Sequence, residues 1–210
     1  MSSDADVSPV LAIHRWRDNG ALIADCARLG YLRNEWPTLD PTYGYGTFWA
    51  RWRPRLLVRS DRDPTKSLDV PGGQDATDLP YPDRSFAVVV IDPPYKLNGT
   101  PAPSVDERYG VDVATGWRDR MALIRAMVAE AARVSDRMLV VKCQDQVVSG
   151  RIRWQTRVVE DVATGAGFGL RDRLEFISHR PQPAGRTQRN AHRCSSQLLV
   201  LQRGWTWSDR

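Results

Sequence analysis

Cysteine is scarce and scattered. The 210 residues hold three, Cys26, Cys143 and Cys194, at none of the paired spacings that ligate metals. That excludes a disulfide framework and a thiolate metal site, and it predicts buried structural thiols in a reducing compartment. Histidine is equally rare: His14, His179 and His192 lie far apart, so no histidine-based chemistry is assigned. No stretch approaches the roughly 20 apolar residues of a membrane-spanning helix. The N-terminus lacks a basic segment followed by an apolar one, so export is not expected and the location reads as cytoplasmic. Neither an internal repeat nor an interdomain linker interrupts the chain, which predicts one domain over residues 1–210 with 1–9 disordered. Acid is missing locally as well. From Phe176 to Arg203 there is no Asp or Glu.

What that stretch does contain is arginine. Arg180, Arg186, Arg189 and Arg193 fall in "SHRPQPAGRTQRNAHRCSS", and Arg203 follows. The whole chain carries a formal net charge of +5. A long basic loop without acids suits a polyanion, and long loops in compact domains are commonly functional or disordered. Two tryptophans, Trp205 and Trp207, sit in the polar tail, where they would cover an apolar patch or a partner surface.

Between these extremes, strands alternate with helices. The apolar spacing predicts two short helices over 10–32, broken near Asn19 and Gly20, a longer helix over 121–134, and another from 154 that stops at Gly165 or Gly167. Strands are expected at 55–61, 85–92, 137–143, 170–178 and 196–203, with a short extended segment ending at Asp40. That alternation predicts a layered α/β sheet.

Two stretches carry chemistry. "FAVVVIDPPY" is a strand of the type buried on both faces, stopped by two prolines that offer no N–H and a fixed φ. Asp92 and Tyr95 are thereby displayed at a strand's carboxyl end, where open α/β sheets bind ligands. Earlier, "TLDPTYGYGTFW" places Gly44 and Gly46 where backbone would approach a ligand closely. About twenty residues on, a strand ends in Asp61, the position from which an acid reaches ribose hydroxyls. Asp75 and Asp78 then follow a glycine pair. Three acids in this order make a nucleoside pocket.

At this point the chain resembles the S-adenosylmethionine-dependent amino-methyltransferases that modify exocyclic amines of nucleic-acid bases. Asp92-Pro93-Pro94-Tyr95 matches their D/N/S-P-P-Y/F tetrapeptide in full. "DPTYGYG" is similar to the cofactor glycine motif of small phage and bacterial DNA methylases, and "RYG" (Arg108 to Gly110) and "VKCQDQVVSG" are similar to further segments of them. The resemblance implies a Rossmann-like class I methyltransferase domain: a mostly parallel seven-stranded sheet, helices on both faces and an antiparallel closing strand. It implies S-adenosylmethionine as cofactor, with S-adenosylhomocysteine as product and no metal. Asp40, Thr42, Gly44 and Gly46 would surround its amino-acid part, Asp61 its ribose, and Asp75 with Ala76 its adenine. Two departures stand out: Pro37 interrupts the first strand, and no separate target-recognition domain of the usual size is present.

The chemistry explains the tetrapeptide. An exocyclic amine is a poor nucleophile because its lone pair is delocalised into the ring. Asp92 accepting one N–H and the Pro93 carbonyl accepting the other would draw the nitrogen toward tetrahedral geometry and stabilise its growing positive charge. The Pro93-Pro94 pair keeps these acceptors from swinging away, and Tyr95 would stack on the base. A duplex hides the amine, so the base is flipped out or already single-stranded. The expected activity is methylation of adenine N6 in DNA, as in restriction-modification systems of bacteria, archaea or phage, with no membrane partner. Cytosine N4, an RNA base, protein glutamine methylation and a catalytically silent nucleic-acid-binding subunit are the alternatives. The nucleic-acid contacts fall on two loops, 96–117 and 178–196, through Lys96, Arg108, Arg180, Arg186, Arg189 and Arg193. The first loop is expected to be mobile and to close over the flipped base.

Overall fold

The computed structural model of the chain describes residues 8–97, 116–178, 189–191 and 193–209, and the side chain of Trp207 lies outside the description. The expectation of a disordered 1–9 therefore falls largely outside it.

Among the described residues, nine strands and three helices follow in chain order. They are β1 (Ile13–His14), α1 (Asn19–Arg28), β2 (Thr38–Asp40), β3 (Leu57–Arg59), β4 (Phe86–Ile91), α2 (Trp117–Val134), β5 (Ser135–Cys143), β6 (Gln146–Val148), β7 (Arg151–Arg153), α3 (Gln155–Gly165), β8 (Phe168–Ile177) and β9 (Ser195–Arg203). Seven strands form one sheet in the order β1-β8-β9-β5-β4-β2-β3, while β6 and β7 pair separately as a hairpin. Within the sheet β9 alone runs against its neighbours, lying between β5 and β8. The expected architecture is present, with the reversed strand inside the sheet.

The central strand shows why the sheet is sandwiched. Val88 and Val90 of β4 point into a cluster with Leu22, Ile23 and Cys26 of α1. Val89 and Ile91 point the other way, into a cluster with Ile124, Val128 and Ala131 of α2 and Val159 of α3. A strand covered on both sides needs apolar residues at every position, and Phe86–Ile91 supplies them.

The N-terminal reading needs correction. One helix forms where two were expected, because Asp18 caps it: its carboxylate accepts the Ala21 N–H at 2.8 Å. Upstream, Ile13 and His14 pair in parallel with Glu175 and Phe176 at the open edge of β8, and Trp16 stacks on Phe176. An unpaired sheet edge claims this segment's backbone groups ahead of helix formation. The hairpin β6–β7 was also not anticipated. Its turn, Ser149-Gly150, has positive φ at both residues (52° and 74°), which matches the right-handed twist of two-residue hairpins. Of the thiols, Cys26 and Cys143 are buried as expected, whereas Cys194 is exposed.

Candidate functional site

Strand order fixes where a ligand fits. From β2 the sheet extends to β3 on one side and to β4 on the other, so the carboxyl ends of β2 and β4 open a crevice at the point where the winding reverses. A cleft of about 1060 Å³, counting the space open to solvent at its mouth, lies there. Its walls come from the loops around three strands: Asp40, Thr42 and Gly44 after β2, Asp61 after β3, Asp75 and Ala76 before β4, and Asp92 with Pro94 after β4. Residues far apart in the chain, from Asp40 to Pro94, thus line one cavity.

The glycine turn is held by acids. Asp61 Oδ2 accepts the Gly44 N–H at 2.8 Å, fastening the turn to the end of β3. Gly46 is not among the lining residues. Its φ is +69°, and an added Cβ would lie 2.5 Å from the Tyr43 hydroxyl. Both its left-handed backbone and the packing of Tyr43 require glycine at this position. Asp75 takes bonds from the Thr77 N–H (2.9 Å) and hydroxyl (2.7 Å). Partial burial pushes its carboxyl up, but those two bonds together hold it below the usual range.

Asp40 lies at the floor. Its Oδ1 accepts the Thr42 N–H and hydroxyl at 2.9 and 3.0 Å, and its Oδ2 accepts the Trp49 indole N–H at 2.7 Å. Burial dominates even so. Removal from water, with a contribution from the Asp92 charge, raises the carboxyl from 3.8 to about 7 against the pull of these bonds.

Asp92 has the opposite arrangement. Its backbone N–H donates to Thr42 Oγ1 at 2.9 Å, but its Oδ1 is out of contact with solvent and has no hydrogen-bond partner among the described residues. Burial raises its carboxyl, and the charge of Lys142 on the adjacent strand opposes the rise. A buried acceptor without a donor is costly, so Oδ1 would be stabilised by any donor placed against it.

The tetrapeptide's exit is clamped. Tyr95 O accepts from the side-chain amides of Gln146 (2.7 Å) and Gln155 (2.5 Å), Leu97 N donates to Gln146 Oε1 at 3.0 Å, and Arg120 donates to Lys96 O at 2.9 Å. Pro93 is buried, and neither it nor Tyr95 lines the cleft. The Tyr95 ring instead lies 5.8 Å from Lys142 Nζ. Mobility of the segment from residue 96 was expected, but its first two residues are fixed by these bonds and Leu97 is buried. Residues 98–115 of that loop, with Arg108, lie outside the described residues, as do Arg180, Arg186 and His192, while Trp117 at its end begins α2. Arg189 is exposed, and Arg193 packs its guanidinium over Trp154 at 4.9 Å.

Several lining residues were not anticipated. Leu123 and Met127, four apart on α2, and Phe48 form the apolar wall, and Tyr45 and Arg62 lie at the rim. The four-residue spacing on a helix was the available signal for the first pair. Lys142, whose charge acts on Asp92, is legible too, as a lysine that follows the apolar run Met138–Val141.

No protein-family model and no curated protein sequence matches the chain. Solved structures do. A candidate RNA methyltransferase from Pyrococcus horikoshii superposes with a TM-score of 0.55 at 12% identity, over 94% of this chain and 90% of that one. Magnesium protoporphyrin IX methyltransferase from Synechocystis PCC 6803, holding S-adenosylhomocysteine, gives 0.53 at 12% identity over 88% and 81%. A candidate DNA modification methylase from Thermus thermophilus gives 0.41 at 16% identity over 63% of this chain, which spans about half (52%) of that protein's length. The fold is that of the Rossmann-like S-adenosylmethionine-dependent methyltransferases. Among the described residues no group of three or more His, Cys, Asp or Glu is arranged to hold a metal ion, and no helix is long and apolar enough to cross a membrane.

Proposed function

We propose that this protein is an S-adenosylmethionine-dependent methyltransferase acting on the N6 amine of adenine in DNA, with the base turned out of the stack. One observation carries the reading: the solvent-excluded, unpartnered Oδ1 of Asp92 belongs to a residue that lines the same cleft as the Asp40–Gly44 turn. The donor set fits the cofactor. Two buried carboxylates, Asp40 and Asp92, face a cavity whose ligand would carry a sulfonium and an ammonium, so the bound cation offsets their mutual repulsion. Leu123, Met127 and Ala76 supply apolar walls, and Asp61 and Asp75 supply acceptors for hydroxyl and amine groups.

Bound there, the cofactor supplies an electrophilic methyl group on a positively charged sulfur. The chain's own residues prepare the acceptor. Asp92 Oδ1 accepts one amine N–H and the Pro93 carbonyl the other, aiming the lone pair and holding the charge that grows on nitrogen. The amine proton released on methyl transfer would pass to Asp92. Its raised affinity for protons favours that transfer. Aspartate at the head of the tetrapeptide favours adenine over cytosine.

The test is transfer of labelled methyl to DNA and, separately, to RNA, followed by digestion and mass identification of the nucleoside. N6-methyldeoxyadenosine is the expected product. N4-methyldeoxycytidine or a methylated ribonucleoside would reassign the target, and failure to bind S-adenosylmethionine would overturn the enzyme reading.

A further inference from the structure

One group of arginines outside the cleft gathers on an element that carries no part of the proposed chemistry. Hairpin β6–β7 carries Arg151 and Arg153, Trp117 links Arg153 to Arg118, and Trp154, which follows the hairpin, carries Arg193. Among the described residues none of these four makes a salt bridge. The arginines are interleaved with tryptophan. Arg153 lies 3.7 Å and Arg118 4.7 Å from the Trp117 ring centre, and Arg193 covers Trp154, which is 45% exposed. Two of the guanidinium groups are also unsatisfied: the Nε atoms of Arg153 and Arg193 are out of water with no acceptor among the described residues. Guanidinium groups stacked on aromatic rings are a recurring way of presenting charge to phosphate oxygens.

Position strengthens the case. Gln146, the first residue of the hairpin, holds Tyr95 O and Leu97 N, so the hairpin is joined directly to the tetrapeptide's exit. At the other end Asn190 donates to Gly150 O in the hairpin turn at 3.0 Å, docking part of the arginine-rich segment onto it.

We infer that hairpin β6–β7, through Arg151, Arg153 and Arg193, grips the phosphate backbone of the strand beside the target base. The partner is a nucleic acid, and the inference rests on the proposed function for that choice. It assigns the grip to the hairpin whose first residue clamps Tyr95, so a bound strand would be registered directly against Asp92.

The experiment measures binding of a labelled DNA oligonucleotide, single-stranded and duplex, by fluorescence anisotropy across a KCl titration. Wild type is compared with R151Q/R153Q and R151Q/R193Q, the second pair guarding against loss of folding when Arg153 leaves Trp117. Each pair of lost phosphate contacts should lower the slope of log affinity against log salt by about 1.4 to 1.8 in magnitude. Affinity for S-adenosylmethionine, measured by calorimetry, should be unchanged in both. An unchanged slope in the folded variants overturns the inference, as does equal binding of polyglutamate by the wild type. Methyl transfer to nucleic acid with unaltered slopes would sink the hairpin assignment and leave the function standing. A hairpin-dependent slope without transfer would do the reverse.

Discussion

Thr42 Oγ1 stands between two acids that are far apart in the chain. It accepts the Asp92 N–H at 2.9 Å and donates to Asp40 Oδ1 at 3.0 Å, so the tetrapeptide and the glycine turn are tied through one hydroxyl. The register of β2 against β4, Thr38 opposite Val88 and Leu39 opposite Val89, brings these ends together. Thr42→Val keeps the shape and removes the relay. It should cost about 1–3 kcal/mol of stability, since the Asp92 N–H loses its acceptor. Transfer should fall by about 100-fold if Asp92 shifts by about 1 Å. Thr42→Ser should restore both. Denaturant unfolding and single-turnover transfer measure the two effects, and a fully active valine variant would remove the relay from the mechanism.

Asp92→Ala should separate chemistry from binding. In the proposed function the Asp40–Gly44 turn, Asp61 and the Asp75–Ala76 loop would hold the cofactor, whereas Asp92 would meet the amine. Loss of this acceptor should lower transfer by about 100- to 1000-fold, the scale of removing one charge-stabilising group. Calorimetric affinity for S-adenosylmethionine should be largely retained. A folded variant that no longer binds cofactor would show that the two subsites are one.

The Asp40 carboxyl gives a pH dependence of definite sign. Its affinity for protons is raised in the folded state, from 3.8 to about 7. Native protein therefore holds a proton that the unfolded chain has lost between these values. The stabilisation is fully present below about pH 4 and disappears as pH rises through about 7, a span on the order of 4 kcal/mol. Asp40→Asn removes the titration, so its melting temperature should gain on wild type as pH increases from about 4 to about 8. The ionised form is also the one that suits a cationic ligand, so wild-type affinity for S-adenosylmethionine should rise over the same interval. In Asp92→Ala the transition should move to lower pH, because a repelling neighbour is gone. Parallel pH curves for wild type and Asp40→Asn would contradict the assignment.

The parts of this molecule legible in sequence are those fixed locally. Phe86–Ile91 is apolar at every position because both faces are covered, and the proline pair marks its end whatever surrounds it. The acids near strand ends follow the same logic, since their places are set by the strands that precede them. Pairings decided by distant partners were not legible. Ile13–His14 is a strand because β8 leaves an edge open, and β6 and β7 are three residues each, too short for alternation to show. The same holds for side chains that act on backbone. Nothing in the spacing of Gln146 and Gln155 announces that both amides converge on Tyr95 O.

Arg203 illustrates how composition misleads and what corrects it. It belongs to the acid-free stretch that suggested phosphate contact, yet its guanidinium is turned inward. Nη1 donates to Ala166 O at 2.9 Å, and Nη2 donates to Ala132 O and Ser135 O at 2.9 and 2.8 Å, with the group 4.3 Å from the centre of the Phe168 ring. It closes the carboxyl ends of α2 and α3 together, where helix carbonyls lack partners and favour a cation. Its partial burial, with the charge of Arg84, lowers its affinity for protons against the pull of Asp136 and Asp83. Arg203→Met should fill the space and leave three carbonyls unsatisfied, costing about 3 kcal/mol in urea unfolding. The salt dependence of nucleic-acid binding should stay at the wild-type slope. A reduced slope with unchanged stability would return Arg203 to the binding surface and take it out of the fold.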